Sequence, residues 1–105
     1  MKINDEIKLI SDEIIKLIDP EIIILYGKKV DISCDKLKEI SLCAVISSGD
    51  KKQLEKDVYL SVFSELAFNI LIYTAKDWEK FCSDSTSYAH AIREKGVVVY
   101  EKTSK

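Results

Sequence analysis

Apolar and polar positions along this chain switch between two periods. From Ile3 onward, apolar residues recur at Ile7, Ile10, Ile14 and Leu17 or Ile18, while Asp5, Glu6, Asp12 and Glu13 fall on other faces. That spacing predicts an amphipathic helix packed on a sheet by one stripe. Asn4 is its expected N-cap, and Asp19-Pro20 should stop it. The run EIIILYG, residues 21–27, is β-branched or large and apolar throughout and ends in glycine, which predicts a buried strand. Residues 28–38 show no clear period and read as a loop with at most one helical turn. EISLCAVIS, 39–47, predicts a second buried strand, with a turn after it. The helical period returns from Lys51 to Ala67, where Leu54, Val58, Val62 and Leu66 stand four apart with Tyr59 and Phe63 beside them. FNILIYT, 68–74, predicts a third strand. AKDWEKF, 75–81, reads as a short helix, and a further helix should run from about Thr86 to Lys95 with Gly96 as its C-cap. VVVYE then closes the chain as a short strand. Strands and helices in this order imply an α/β (α+β) domain, a small mixed sheet with helices packed on it.

Length and composition narrow the picture. With 105 residues the chain holds one domain, residues 1–105, without an internal repeat or linker. A domain of this size hides about two-thirds of the surface its unfolded chain exposes, so a partner covering apolar surface would add stability. Sixteen basic residues face 18 acidic ones, a formal charge of -2. That balance lacks the cationic excess of a dedicated nucleic-acid binder. All the basic residues but Arg93 are lysine, a compositional bias of the kind an AT-rich genome produces. Cys34, Cys43 and Cys82 are odd in number and have no paired spacing, so free thiols in a reducing cytosol are expected, buried as small hydrophobes. His90 is the only histidine, and no C-x-x-C or H-x-x-x-H pattern makes a zinc site. The acidic residues spaced through the N-terminal segment exclude a signal peptide or a membrane span there, and a cytoplasmic location is expected.

Two stretches carry a resemblance. The first runs from Leu25-Tyr26-Gly27 through residues 39–47. The second comprises FNILIYTAKDWEKF and AIREKGVVVYEK. In order and spacing they resemble the minimal nucleotidyltransferases of the polymerase-beta superfamily. In that family a strand ends in Gly-Ser, an Asp-x-Asp opens the next strand twelve residues after the glycine, and a third strand bears a final carboxylate. The match extends over nearly all of the chain beyond the first helix.

The resemblance implies a nucleotidyltransferase-like fold and points to particular residues. Counting from Gly27 puts the paired carboxylate positions on Glu39 and Ser41, and the third on Asn69. Family members use two divalent ions to hold a nucleotide triphosphate and activate the attacking hydroxyl, and three carboxylates compensate those ions. Here one anion remains. Electrostatic stabilisation is the main work of nucleotidyl transfer, so the expectation is a pseudoenzyme in which Glu39, Ser41 and Asn69 are vestiges of the catalytic site. Glu39 would be the remaining metal ligand, and magnesium with a nucleotide triphosphate would be the cofactors of any residual activity. Gly27 still permits close backbone approach to a phosphate, whereas the family's serine is Lys28 and its second glycine is Ile32. Lys28 and Lys29 are either solvated or point charges for a phosphate.

Family context implies a partner as well. Many relatives pair with a helical protein of the HEPN type and act as the antitoxin of the pair; a homo-oligomer is the other association considered. The alternatives to an antitoxin-like or regulatory protein are a nucleotide- or phosphate-binding sensor, and a transferase using Glu39 with a non-standard metal site. Other side chains have simpler readings. Asp31 and Asp35 suit turns as well as ligation. Cys82 and His90 form a conceivable thiol–imidazole pair with no third orienting group. Trp78 with Phe81 reads as a core anchor, and Tyr73, Tyr88 and Tyr100 as packing residues.

Overall fold

A computed structural model describes residues 3–31, 33, 36–62 and 66–102. Eight elements follow one another: α1 (Ile3–Ile18), β1 (Ile22–Asp31), β2 (Lys36–Ile46), α2 (Lys51–Ser61), β3 (Ala67–Thr74), α3 (Ala75–Cys82), α4 (Tyr88–Lys95) and β4 (Val97–Glu101). The strands form one mixed sheet in the order β3-β2-β1-β4. β1 runs antiparallel to both β2 and β4, while β2 and β3 are parallel and joined through α2.

The central strands are buried on both faces, which is why they read as nearly continuous apolar runs. On one face, Ile7, Ile10 and Ile14 of α1 and Val58 of α2 cover Ile23, Leu25, Ile40, Leu42, Ala44, Ile46, Ile70 and Ile72. On the other, α3 and α4 cover a smaller cluster of Ile24, Cys43 and Ile92, against which Ile22, Tyr26, Leu71, Tyr73 and Trp78 are partly buried. The helical stripe expected for α1 is thus present, except that Leu17 is exposed and Ile18 is the residue that packs. No helix among the described residues is long and apolar enough to cross a membrane.

Helix starts follow side-chain chemistry. Asp50, Thr74 and Ser87 each accept a hydrogen bond from the backbone amide three residues on, capping α2, α3 and α4. Asn4, the expected cap, lies within α1, which is described from Ile3 onward. The helix ends as expected: Asp19 takes a left-handed conformation, φ 47°, before the buried Pro20.

Three boundaries differ from the sequence reading. Most of the loop expected over residues 28–38 is strand, since β1 continues to Asp31 and β2 begins at Lys36. Lys28, Lys29, Val30 and Lys38 are exposed, so backbone pairing and not a hydrophobic pattern holds this hairpin arm. α2 stops at Ser61 instead of Ala67; Val62 is already extended, and Ala67 opens β3. Gly96 does follow α4, yet its φ of -77° is ordinary. Glycine is required there for space: a Cβ would lie 2.3 Å from Ile24 Cγ2 and 2.6 Å from the Ile92 carbonyl oxygen.

Candidate functional site

Strand register brings the residues singled out in the sequence to one place. Gly27 pairs with Ser41 across β1 and β2, and Ser41 pairs with Asn69 across β2 and β3. Glu39, two residues before Ser41, shares its face of the sheet, as side chains alternate along a strand. This is the face that α3 and α4 cover further along, at Cys43 and Leu71. Beyond those helices, Gly27, Lys28, Lys29, Glu39 and Ser41 line an open cavity of about 140 Å³. A side chain at Gly27 would press on Ser41, with its Cβ 3.3 Å from Ser41 Cβ, so the glycine keeps the serine accessible.

Glu39 is the centre of the polar contacts. Its Oε2 accepts a hydrogen bond of 2.5 Å from Asn69 Nδ2, and its Oε1 lies 3.8 Å from Lys29 Nζ. Lys29 is largely exposed, so water screens that ion pair strongly. The arrangement is therefore one carboxylate, one carboxamide, one hydroxyl and a tethered ammonium.

This donor set does not suit a pair of magnesium ions. Such ions need several anionic oxygens, and Glu39 is the one carboxylate lining this cavity. Among the described residues no group of three or more His, Cys, Asp or Glu side chains could hold a metal ion. Asp35 lies outside the described residues; Asp31 ends β1, and only its backbone is described.

A second cavity, of about 400 Å³, adjoins the first and shares Gly27 and Lys28 with it. Ile7, Leu25, Tyr26, Val97, Val99 and Lys95 complete its lining. It forms because β4 pairs only with Ile22–Leu25, leaving the rest of β1 without a neighbour on that side. No pattern in the sequence marks this groove, since it depends on where β4 begins.

The remaining candidates have structural roles. His90 Nδ1 lies 2.9 Å from the backbone carbonyl of Cys82, and the Cys82 thiol donates to the Ala89 carbonyl at 3.7 Å. The imidazole and the thiol each engage backbone, which ties α3 to α4. Cys43 and Cys82 are free and buried as expected, while Cys34 lies outside the described residues. Burial pushes the Cys43 thiol up to about 12, so at neutral pH it is an inert apolar group. Trp78 packs against Tyr73 with ring centroids 5.4 Å apart; its neighbour Phe81 is more exposed. Tyr73 and Tyr100 are packing residues, whereas Tyr88 is 60% exposed and touches Tyr26 edge-on at 5.9 Å. Burial, followed by the proximity of Tyr88, raises the Tyr26 pKa well above the usual tyrosine value.

Fold and site together define an α/β domain with a polar cleft at one end of a four-stranded mixed sheet. Comparison of the chain with protein-family models, curated proteins and solved structures returned no match.

Proposed function

We propose that this chain is a degenerate minimal nucleotidyltransferase domain that no longer transfers nucleotides and acts through a protein partner. The observation that supports this reading most directly is the register of Gly27, Ser41 and Asn69 across three neighbouring strands, with Glu39 beside them. A resemblance read along the chain named these four positions, and they meet in space. Their chemistry supports the loss of catalysis. Serine and asparagine supply no charge for two dications, and electrostatic stabilisation is the largest contribution to this kind of transfer. The partner that the resemblance implies is a helical protein of the HEPN type, with this chain as the antitoxin member.

Incubation with radiolabelled ATP, magnesium or manganese and candidate acceptor proteins tests the reading. No label is expected in any acceptor, and Glu39→Ala should change nothing. Label transfer that Glu39→Ala abolishes would overturn the proposal and establish a transferase. A second reading, phosphate sensing, is favoured by Lys28 and Lys29 lining the cleft beside Gly27. It requires ATP to raise the melting temperature, with the rise lost in a Lys28→Ala/Lys29→Ala variant.

A further inference from the structure

The larger cavity, of about 400 Å³, lies towards the face of the sheet that α1 covers, away from Glu39. Strand register explains the separation. Lys28 pairs with Ile40, which belongs to the core under α1, whereas Lys29 pairs with Glu39 on the other face. The lining is mostly apolar: Ile7 and Leu25 are buried, while Val97 and Val99 are 62% and 37% exposed. Its charged residues are Lys28 and Lys95, both exposed. Neither has an ion-pair partner among the described residues. The two smaller cavities differ in this respect, for Glu39 stands 3.8 Å from Lys29 in one and Glu13 lines the other with Lys16. The larger groove thus sets two uncompensated cations beside exposed valines, on a chain whose formal charge is -2.

We infer that this groove binds a small aliphatic carboxylate, with its head group at Lys28 and Lys95 and its tail along Val97 and Val99. Charge selects the head: an anion gains from both lysines, whose flexible stems let them converge, and no acidic side chain in the lining repels it. Surface selects the tail, because inorganic phosphate or another purely ionic ligand would leave the two valines in water. Size sets its length. At about 30 Å³ per heavy atom, the share of one molecule in liquid water, the 400 Å³ groove holds roughly a dozen heavy atoms, as many as decanoate has. Lys28 also borders the polar cleft, yet Glu39 and Ser41 do not line the groove, so the inference is independent of the nucleotidyltransferase reading.

Calorimetric titration with hexanoate, octanoate and decanoate, below their micelle concentrations, tests it. Affinity should rise about fourfold per added methylene. Decanol, which lacks the charge, should bind about tenfold more weakly than decanoate, since each exposed lysine contributes about two- to fivefold. In a Lys28→Ala/Lys95→Ala variant decanoate should bind no better than decanol, a loss of discrimination that misfolding cannot mimic. Val97→Asp, at an exposed position, should abolish binding of all three acids and leave the melting temperature near that of the wild type. Lys29→Ala, which alters the polar cleft alone, should leave decanoate binding unchanged. No binding of decanoate, an affinity independent of tail length, or undiminished preference for acid over alcohol in the double variant would each overturn the proposal.

Discussion

β3 and β4 are both edge strands, yet they solve the same physical problem in opposite ways. An edge leaves a row of backbone donors and acceptors unpaired. β3 lies beside α2, whose Tyr59 and Glu55 reach over and accept from Ile70 and Ile72. Tyr59 also stacks on Phe68 with ring centroids 5.6 Å apart, which fixes the hydroxyl over the edge. β4 follows a helix that packs on the sheet's face, and its valines remain exposed. Whether a strand edge is closed therefore depends on the neighbouring helix more than on the strand: FNILIYT and VVVYE are similarly apolar.

The comparison can be strained from either side, and the largest effect should come from the entrance to β4. Gly96→Ala forces a methyl group against Ile24 and the Ile92 carbonyl, and should cost about 1–3 kcal/mol as an overpacking change. Urea denaturation would report it, and hydrogen exchange should show the loss concentrated in α4 and β4. A stability equal to wild type would mean that the α4–β4 junction is looser than its geometry requires.

Opening the β3 edge should have a smaller effect. Tyr59→Phe keeps the stacked ring and removes the acceptor for the Ile70 amide, at a cost of about 0.5–1.5 kcal/mol. The Ile70 amide should then exchange faster with solvent, while that of Ile72, held by Glu55, keeps its protection. Unchanged exchange at Ile70 would show that the hydroxyl does not close this edge.

The smallest effect concerns the helices that hold the closed side. Lys51 at the start of α2 donates to Asp77 in α3 at 3.0 Å, and this hydrogen bond is the main reason the Asp77 carboxyl sits below its ordinary pKa. A depressed folded-state pKa contributes stability above the unfolded value, about 3.9 for aspartate, and that contribution disappears as pH falls through the folded value. Lys51→Ala should therefore lower the melting temperature slightly at neutral pH and leave it unchanged in strong acid. A difference of the same size at both pH values would remove the ion pair as its cause.

Much of the site was legible because it depends on counting. Gly27, Glu39 and Ser41 lie on strands whose apolar runs announce them, and Asn69 lies on the next. Alternation along β2 and the register with β1 and β3 then bring them together. The contacts of Glu39 were not legible, since Lys29 and Asn69 reach it only through strand pairing. The hairpin arms were missed for a related reason. Lys28, Lys29, Val30 and Lys38 are exposed, and strand residues that bury little leave no hydrophobic period to read.

By itself the sequence determined the α/β class, the order of the elements and the two-sided burial of the central strands, because apolar periodicity and capping residues act locally. It also set the charge that the cleft can offer, a single carboxylate among the matched positions. Tertiary structure decided which strands are neighbours, that Gly96 is required for space and not for a left-handed turn, and that Tyr59 and Glu55 close one edge while the other stays open. Those outcomes depend on residues far apart in the chain, and only packing specifies their distances.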